Sequence, residues 1–359
     1  LQDVAGRLNP GDVVQVYGKD TAYPGGVIFS RPGTTAARIT IRGVPQNGRR
    51  PILFGGTNTV EFRANSYVFE GFEATGGTSR VLYHHANDIT IRNTLVRDCP
   101  AHGILGADAD SGSLTLEYSE VTRCGSGDRL HPVYIATDEV AYPGSVFRMQ
   151  YCYLHDQRGG NNVKSRAERN EIYYNWIEGG FYRELELIGP DGGVASRRED
   201  SDVVGNVLVK TQGSNIARIG GDGTGDTSGR YRFVNNTIIL KSDSPAAIQA
   251  YDRLESLELY NNVFYRQGGG GVTVLNDSSA SWTRGALITG SNNWLPTGSS
   301  APSQLTAGRG GADPGFLGVS SYNLVPASGS ALRNAARSPV PSFSTAPFPS
   351  PLALPAMLP

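Results

Sequence analysis

Seven segments of the chain can be written under one another: ITIRNTLVRD from Ile89, LTLEYSEVTR from Leu114, FRMQYCYLHD from Phe147, NEIYYNWIEG from Asn170, SDVVGNVLVK from Ser201, YRFVNNTIIL from Tyr231 and LELYNNVFYR from Leu257. Each reads as a strand, a tight corner and a second strand. Asn93, Asn175, Asn206, Asn236, Asn262 and Asn293 fall in nearly one column. Successive units lie roughly 22 to 33 residues apart, inside the period of solenoids, whereas propeller blades repeat at about 40 to 45 residues with a Trp-Asp signature. Neither propeller feature is present. The repeat therefore predicts an all-β, single-domain right-handed parallel β-helix of about ten coils.

Asparagine suits such a corner because it tolerates the left-handed backbone conformation and its amide can bond the coil above. With coils about 4.8 Å apart, these amides should stack as an internal ladder. No long segment carries apolar residues at helical spacing; short Val-, Ile-, Tyr- and Phe-rich runs bounded by Gly, Asn, Asp and Ser replace them. The solenoid is assigned to residues 1–337, with LQDVAGRL as the end of a helical cap over the first coil. Residues 338–359 are rich in Pro and Ser and read as an extended tail. Phe343, Phe348, Leu352 and Leu354 would anchor it along the solenoid.

A formal charge of −1 over 359 residues argues against a nucleic-acid partner. No apolar run is long enough to span a membrane as a helix. The chain opens at Leu1 in mid-pattern, as a processed chain would, and a secreted or periplasmic monomer is expected. Three cysteines make neither a disulfide scaffold nor a zinc cluster. Cys99 and Cys124 occupy equivalent corners of adjacent coils, near the separation a disulfide needs; buried free thiols are the competing reading.

A solenoid stacks one register position of every coil on a single face. The strands RVLYHH, HGILGAD, HPVYIATDE, NNVKSR, RELELIGPD and NIARIGGD follow one another in this way. Alternation turns Val133, Ile135, Val163, Leu185, Leu187, Ala217 and Ile219 inward. It turns Tyr134, Lys164, Glu184, Glu186 and Arg218 outward, beside His84 or His85 and His102. His131 and His155 lie near this strip in sequence, as do Arg166, Arg183 and the aromatics Phe181, Tyr182 and Tyr251. Asp108, Asp110 and Asp128 read as turn residues.

The stretch NNVKSRAERNEIYYNWIEGG, from Asn161 to Gly180, resembles the Val-Lys-Ser…Asn stretch of the chondroitinase B and alginate lyase family of β-helix polysaccharide lyases. LNPGDVVQVYGKDTAYPGG and GADPGFLGVSSYNLVPASGSALRNA resemble the opening and closing segments of polysaccharide-processing β-helices. The resemblance implies β-elimination on an acidic polysaccharide, with Lys164 as the base. It departs in two places. Ile188 stands where the family has an arginine, and Gln157 and Gly159 stand where it has calcium-binding glutamates, so no cofactor is required, calcium stays open, and no metal ligand is assigned.

Elimination on a uronate needs positive charge against the carboxylate, a base for the C5 proton and an acid for the leaving O4. The catalytic candidates are Lys164, Tyr134, Arg218 and Glu186. The substrate-binding candidates are His102, His131, His155, Arg166, Arg183, Glu184 and Tyr182. Tyr134 is the leading acid, with His131 and His155 as alternatives, while Glu186 beside Lys164 favours the ammonium form and opposes its use as a base. Two other classes stay open. Glu184, Glu186 and Asp191, with Asp138 and Glu139, would be the carboxylates of a hydrolase or epimerase. A catalytically silent, glycan-binding β-helix is the third.

Overall fold

The structure, a computed structural model, describes residues 1–190, 198–224, 226–338, 340 and 354–358. Asp191, Phe343, Phe348 and Leu352 lie outside the described residues. Each coil visits three sheets in turn, two of 12 strands and one of 10. The first runs from Val13–Tyr17 to Leu305–Thr306, the second from Tyr23–Pro24 to Arg309–Gly311, and the third from Val27–Phe29 to Leu275–Asn276. Within each sheet every strand pairs in parallel with its neighbours, those between the two ends with the coil before and the coil after. This is the expected parallel β-helix.

The core is the inside of the solenoid, and the alternation of the third sheet builds its wall. Ile104, Val133, Val163, Leu185, Ala217 and Ile248 pair in one column and are all fully buried. A four-residue helix, Gln2–Ala5, covers the first coil, with Gln2 Oε1 accepting the Ile28 N–H at 2.8 Å. At the far end the antiparallel pair Phe316–Gly318 and Asn323–Pro326 folds back. It brings Leu324 against Trp176, Val207, Val209 and Ile239 on the outside of the second sheet. Val340 packs with Val204, Val234 and Tyr260, and the Leu358 carbonyl accepts from Arg50.

The asparagine ladder is present from Asn175 to Asn293. Asn175, Asn206, Asn236 and Asn262 each donate a backbone N–H to the next coil's Asn Oδ1 at 2.9–3.0 Å. Their side-chain amides also donate inward, as Asn206 does to Ile172 O at 2.8 Å. Two expectations need correction. Asn93 is one residue out of the column, which continues instead through Cys152, Ser119 and Thr94. The left-handed conformation belongs to the preceding residue of each coil: Asn93, Tyr118, Tyr151, Tyr174, Gly205, Asn235, Asn261 and Asn292. The corner thus divides its two tasks between neighbours, one turning the chain and the next bonding along the stack. The tyrosines tolerate the left-handed turn because their rings stack outside, at 5.1 Å and 5.6 Å between centroids. Cys99 and Cys124 are joined, with Cα atoms 4.3 Å apart, and Cys152 is a buried free thiol.

Candidate active site

On the outer face of the third sheet one register position reads Glu61, Tyr83, Leu105, Tyr134, Lys164, Glu186, Arg218, Gln249 and Asn276 from coil to coil. Lys164 sits in the middle. Inward Val163 and Ser165 on either side fix its direction. Its Nζ lies 5.1 Å from the Tyr134 ring centre and 3.6 Å from Glu186 Oε2.

Glu186 is the hub of a cationic cluster. Beside Lys164 it meets Arg218 at 3.2 Å, Arg183 at 3.5 Å and the Asn161 amide at 2.7 Å. Its side chain is only 5% exposed, while the three cations keep 16–19% exposure. Arg183 and Arg218 exceed Glu186 by one positive charge when Lys164 is the free amine, and by two when it is the ammonium, a field suited to an anionic ligand. Arg218 lies 4.3 Å over the Tyr251 ring, and Arg183 reaches Gln249 at 3.3 Å. Burial lowers the pKa of Arg183, against the pull of Glu186.

A second row enters the sheet three positions earlier in each coil and forms its own ladder. His102 Nδ1 accepts the His131 N–H at 3.0 Å, His131 Nδ1 accepts the Asn161 N–H at 2.9 Å, and Asn161 Oδ1 accepts the Arg183 N–H at 3.2 Å. An imidazole nitrogen that accepts a backbone N–H carries no proton, so both histidines hold theirs on Nε2. Burial, foremost, pushes His102 down to about 4 and His131 down to about 3, with Lys164 adding to both. They are neutral N–H donors near neutral pH. Their rings lie 6.1 Å and 5.5 Å from Tyr134. Gly160, at φ +62°, closes over His131, where a Cβ would come within 2.3 Å of Nδ1.

Several sequence-derived assignments fall elsewhere. Glu184 was expected outward but is fully buried. Lys210 meets it at 2.9 Å, likewise with no exposure, and Asn162 and the Gly180 N–H complete the cage. Burial raises the Glu184 pKa, with Lys210 and the hydrogen bonds opposing. The residue precedes the strand Leu185–Ile188, at a corner where alternation has not yet begun. His84 also points inward, 1% exposed, and burial holds it at about 4. His155 belongs to the second sheet, bonded to Glu120 and Asp156 and stacked on Tyr153, away from the strip.

Arg166 is 3% exposed and does not face the groove as a free cation. It donates to Gly189 O, to Asp222 at 2.6 Å and to the Tyr134 hydroxyl at 3.2 Å. Although burial works the other way, Thr224 and Arg166 bring Asp222 down to about 2. Tyr182 is exposed on the loop before Leu185, ring to ring with Phe181. Asp138 accepts from the N–H groups of Asp110, Val140 and Ala141, and so ties its own loop, while Glu139 is buried. Asn161, Asn162 and Asp222 were missed, and Lys210, which the sequence reads as a corner lysine of no consequence away from the strip, is instead buried against Glu184. The doublet Asn161-Asn162 just before the strand was the one available signal.

The calcium site of the resembled family does not fit. Gln157 spends its amide on Cys124 N–H and Val121 O, and Gly159 offers no side chain. Among the described residues no three His, Cys, Asp or Glu gather as metal ligands.

No family model and no curated protein matches the chain. Solved structures do. Pectate lyase Pel9A shares 11% identity over 96% of this chain and 88% of its own, with a TM-score of 0.50. An alginate lyase from Paenibacillus sp. shares 16% over 87% of this chain and 95% of its own, at 0.48. A PL6 family polysaccharide lyase from Pseudopedobacter saltans shares 12% over 86% and 90%, at 0.44. At these identities the likeness is one of fold, and the Pel9A match bears on it.

Proposed function

We propose that this chain is a polysaccharide lyase that cleaves a uronate-containing polysaccharide by β-elimination, with Lys164 as the base. One observation carries the reading: Lys164 is held between the Tyr134 phenol and the Arg183–Arg218–Glu186 cluster on one continuous outer face. The surplus positive charge of that cluster receives the uronate carboxylate and stabilises the enolate-like charge that grows there in the transition state. Lys164, as the free amine, takes the C5 proton. The C5–H pair becomes the C4–C5 double bond, the C4–O4 bond breaks, and O4 takes a proton from Tyr134. Arg166, 3.2 Å from that hydroxyl, steadies the phenolate left behind. The Nε2–H groups of His102 and His131 donate hydrogen bonds to the sugar without adding charge. Exported polysaccharide chemistry is consistent with a secreted or periplasmic place and with a polymeric acidic substrate.

Of the described carboxylates read for hydrolysis, Glu184 is sealed inside against Lys210 and Glu186 is bound by three cations, which favours elimination. The test is incubation with pectate, alginate and unsulfated chondroitin. Ultraviolet absorbance of unsaturated uronate ends supports elimination. New reducing ends without that absorbance mean hydrolysis, and binding with neither means a silent scaffold.

A further inference from the structure

We propose that Asp222, seated by Thr224, is a positioning residue for the proton donor of the reaction: it aims the Arg166 guanidinium at the Tyr134 hydroxyl and offsets part of its charge. The inference rests on the reading of Tyr134 as the acid. It extends the site from the groove to a loop behind it. Ala217–Gly220, the strand that carries Arg218, ends at Gly220 with φ +96°, and the Gly221 N–H donates to Asp252 O at 2.7 Å. The chain leaving this turn brings Asp222 back to Arg166, whose strand, Val163–Arg166, lies two coils earlier. One strand thus supplies a groove cation and, from the loop after it, the carboxylate behind the acid.

The two oxygens of Asp222 have separate tasks. Oδ2 accepts from Arg166 Nη2 at 2.6 Å, while Oδ1 accepts the Thr224 hydroxyl at 2.7 Å and the Thr224 N–H at 3.1 Å. Arg166 Nη2 also donates to the Thr224 hydroxyl oxygen at 3.2 Å, and Nη1 donates to Gly189 O. With both Nη groups engaged on the far side, the Nε–H edge is turned to the Tyr134 oxygen, 3.2 Å away. A hydroxyl oxygen that accepts there directs its own O–H elsewhere, as donation to O4 requires. Charge matters as much as aim. A lone buried guanidinium would draw the proton from a neighbouring phenol more strongly than one paired with a carboxylate. Against burial, which would raise it, Thr224 and Arg166 bring Asp222 down to about 2, so the pairing carboxylate is ionised across the neutral range. Lys164, His102 and His131 also face Tyr134, and the substitutions below leave all three in place.

Two readouts separate this role from a merely structural one. Phenolate absorbance, titrated in the substrate-free protein with and without Tyr134→Phe, isolates Tyr134 by difference. Asp222→Asn should raise the acid dissociation constant of Tyr134 about tenfold, because Arg166 is then unopposed, and Asp222→Glu should restore it. Turnover is read on whichever of pectate, alginate and unsulfated chondroitin the wild type cleaves. There Asp222→Asn should lower kcat about tenfold at unchanged KM. An amide sets its NH₂ against either Arg166 or Thr224, while Arg183 and Arg218 still hold the uronate. Thr224→Ala, at an exposed position, should also lower kcat without moving the titration, and it decides the case if Asp222→Asn does not fold. Wild-type kcat in Thr224→Ala or in folded Asp222→Asn, or a Tyr134 titration unmoved by Asp222→Asn, would overturn the proposal alone. A wild type that forms no unsaturated ends would instead remove the reading beneath it.

Discussion

Replacing Lys210 by Ala leaves the Glu184 carboxylate alone inside the solenoid. Both side chains have no exposure, the ion pair is 2.9 Å long, and the lysine also donates to Gly180 O at 2.9 Å. Removing one partner of such a pair costs about 3–5 kcal/mol, because the desolvated charge that remains has lost its counterion. Unfolding entropy of about 2.1 cal/mol/K per residue over 359 residues is roughly 0.75 kcal/mol/K, so the melting temperature should fall by about 4–7 °C. The deficit has a sign in pH. The Glu184 pKa is already raised by burial, and Lys210, which opposes this, is gone in the variant. A carboxyl with a raised folded-state pKa stabilises the fold at low pH and loses that contribution as pH rises, so the deficit should be largest at alkaline pH and narrow on acidification. Lys210→Met with Glu184→Gln removes both charges while an amide oxygen still accepts from Asn162 and Gly180, and should recover most of the loss. Differential scanning calorimetry across pH reads all three proteins. A Lys210→Ala melt within about 1 °C of wild type, or a double variant no better than the single, would refute the reasoning.

Three further outcomes follow from the same geometry. His84, His102 and His131 are held neutral at about 4, 4 and 3 against an ordinary 6.5. A depressed folded-state pKa means stability that is whole above 6.5 and lost as pH falls towards those values, so melting temperature should drop steadily between them; a flat profile would contradict it. The Cys99–Cys124 bridge spans 25 residues and should contribute about 3.5 kcal/mol. Alkylation of unfolded, unreduced protein should then label Cys152 alone, and two further labels would exclude the bridge. Arg218→Ala should raise KM and lower kcat together, whereas Tyr134→Phe should lower kcat by about 10²–10⁴ with little change in KM; the reverse pattern would exchange their roles.

The solenoid was legible because coil spacing and strand alternation are written directly in the chain. Val163–Lys164–Ser165 and Leu185–Glu186–Leu187 point as alternation requires, and so Tyr134, Lys164, Glu186 and Arg218 were placed on one face correctly. Alternation ends where the chain turns, and there the errors gather. Glu184 sits one residue before its strand and faces a lysine 26 positions away, a pairing no local pattern announces. Arg166 looked like a groove cation, but its partners Gly189, Asp222 and Thr224 come from loops of later coils. The ladder asparagines were visible as a column, yet the left-handed turn beside them is carried equally by Tyr118, Tyr151 and Tyr174, which propensity would not choose. Their stacked rings supply the reason, and that is a tertiary one.

The central claim is that Lys164 removes a proton in an elimination. Its most direct test is the ultraviolet appearance of unsaturated uronate ends from a cleaved uronan, followed for wild type and for Lys164→Ala. The substitution removes a partly exposed side chain from the outer face and should leave the fold intact, as circular dichroism would verify. The expected result is unsaturated product from wild type and none above background from the folded variant. A folded Lys164→Ala protein that forms unsaturated ends at the wild-type rate would contradict the assignment.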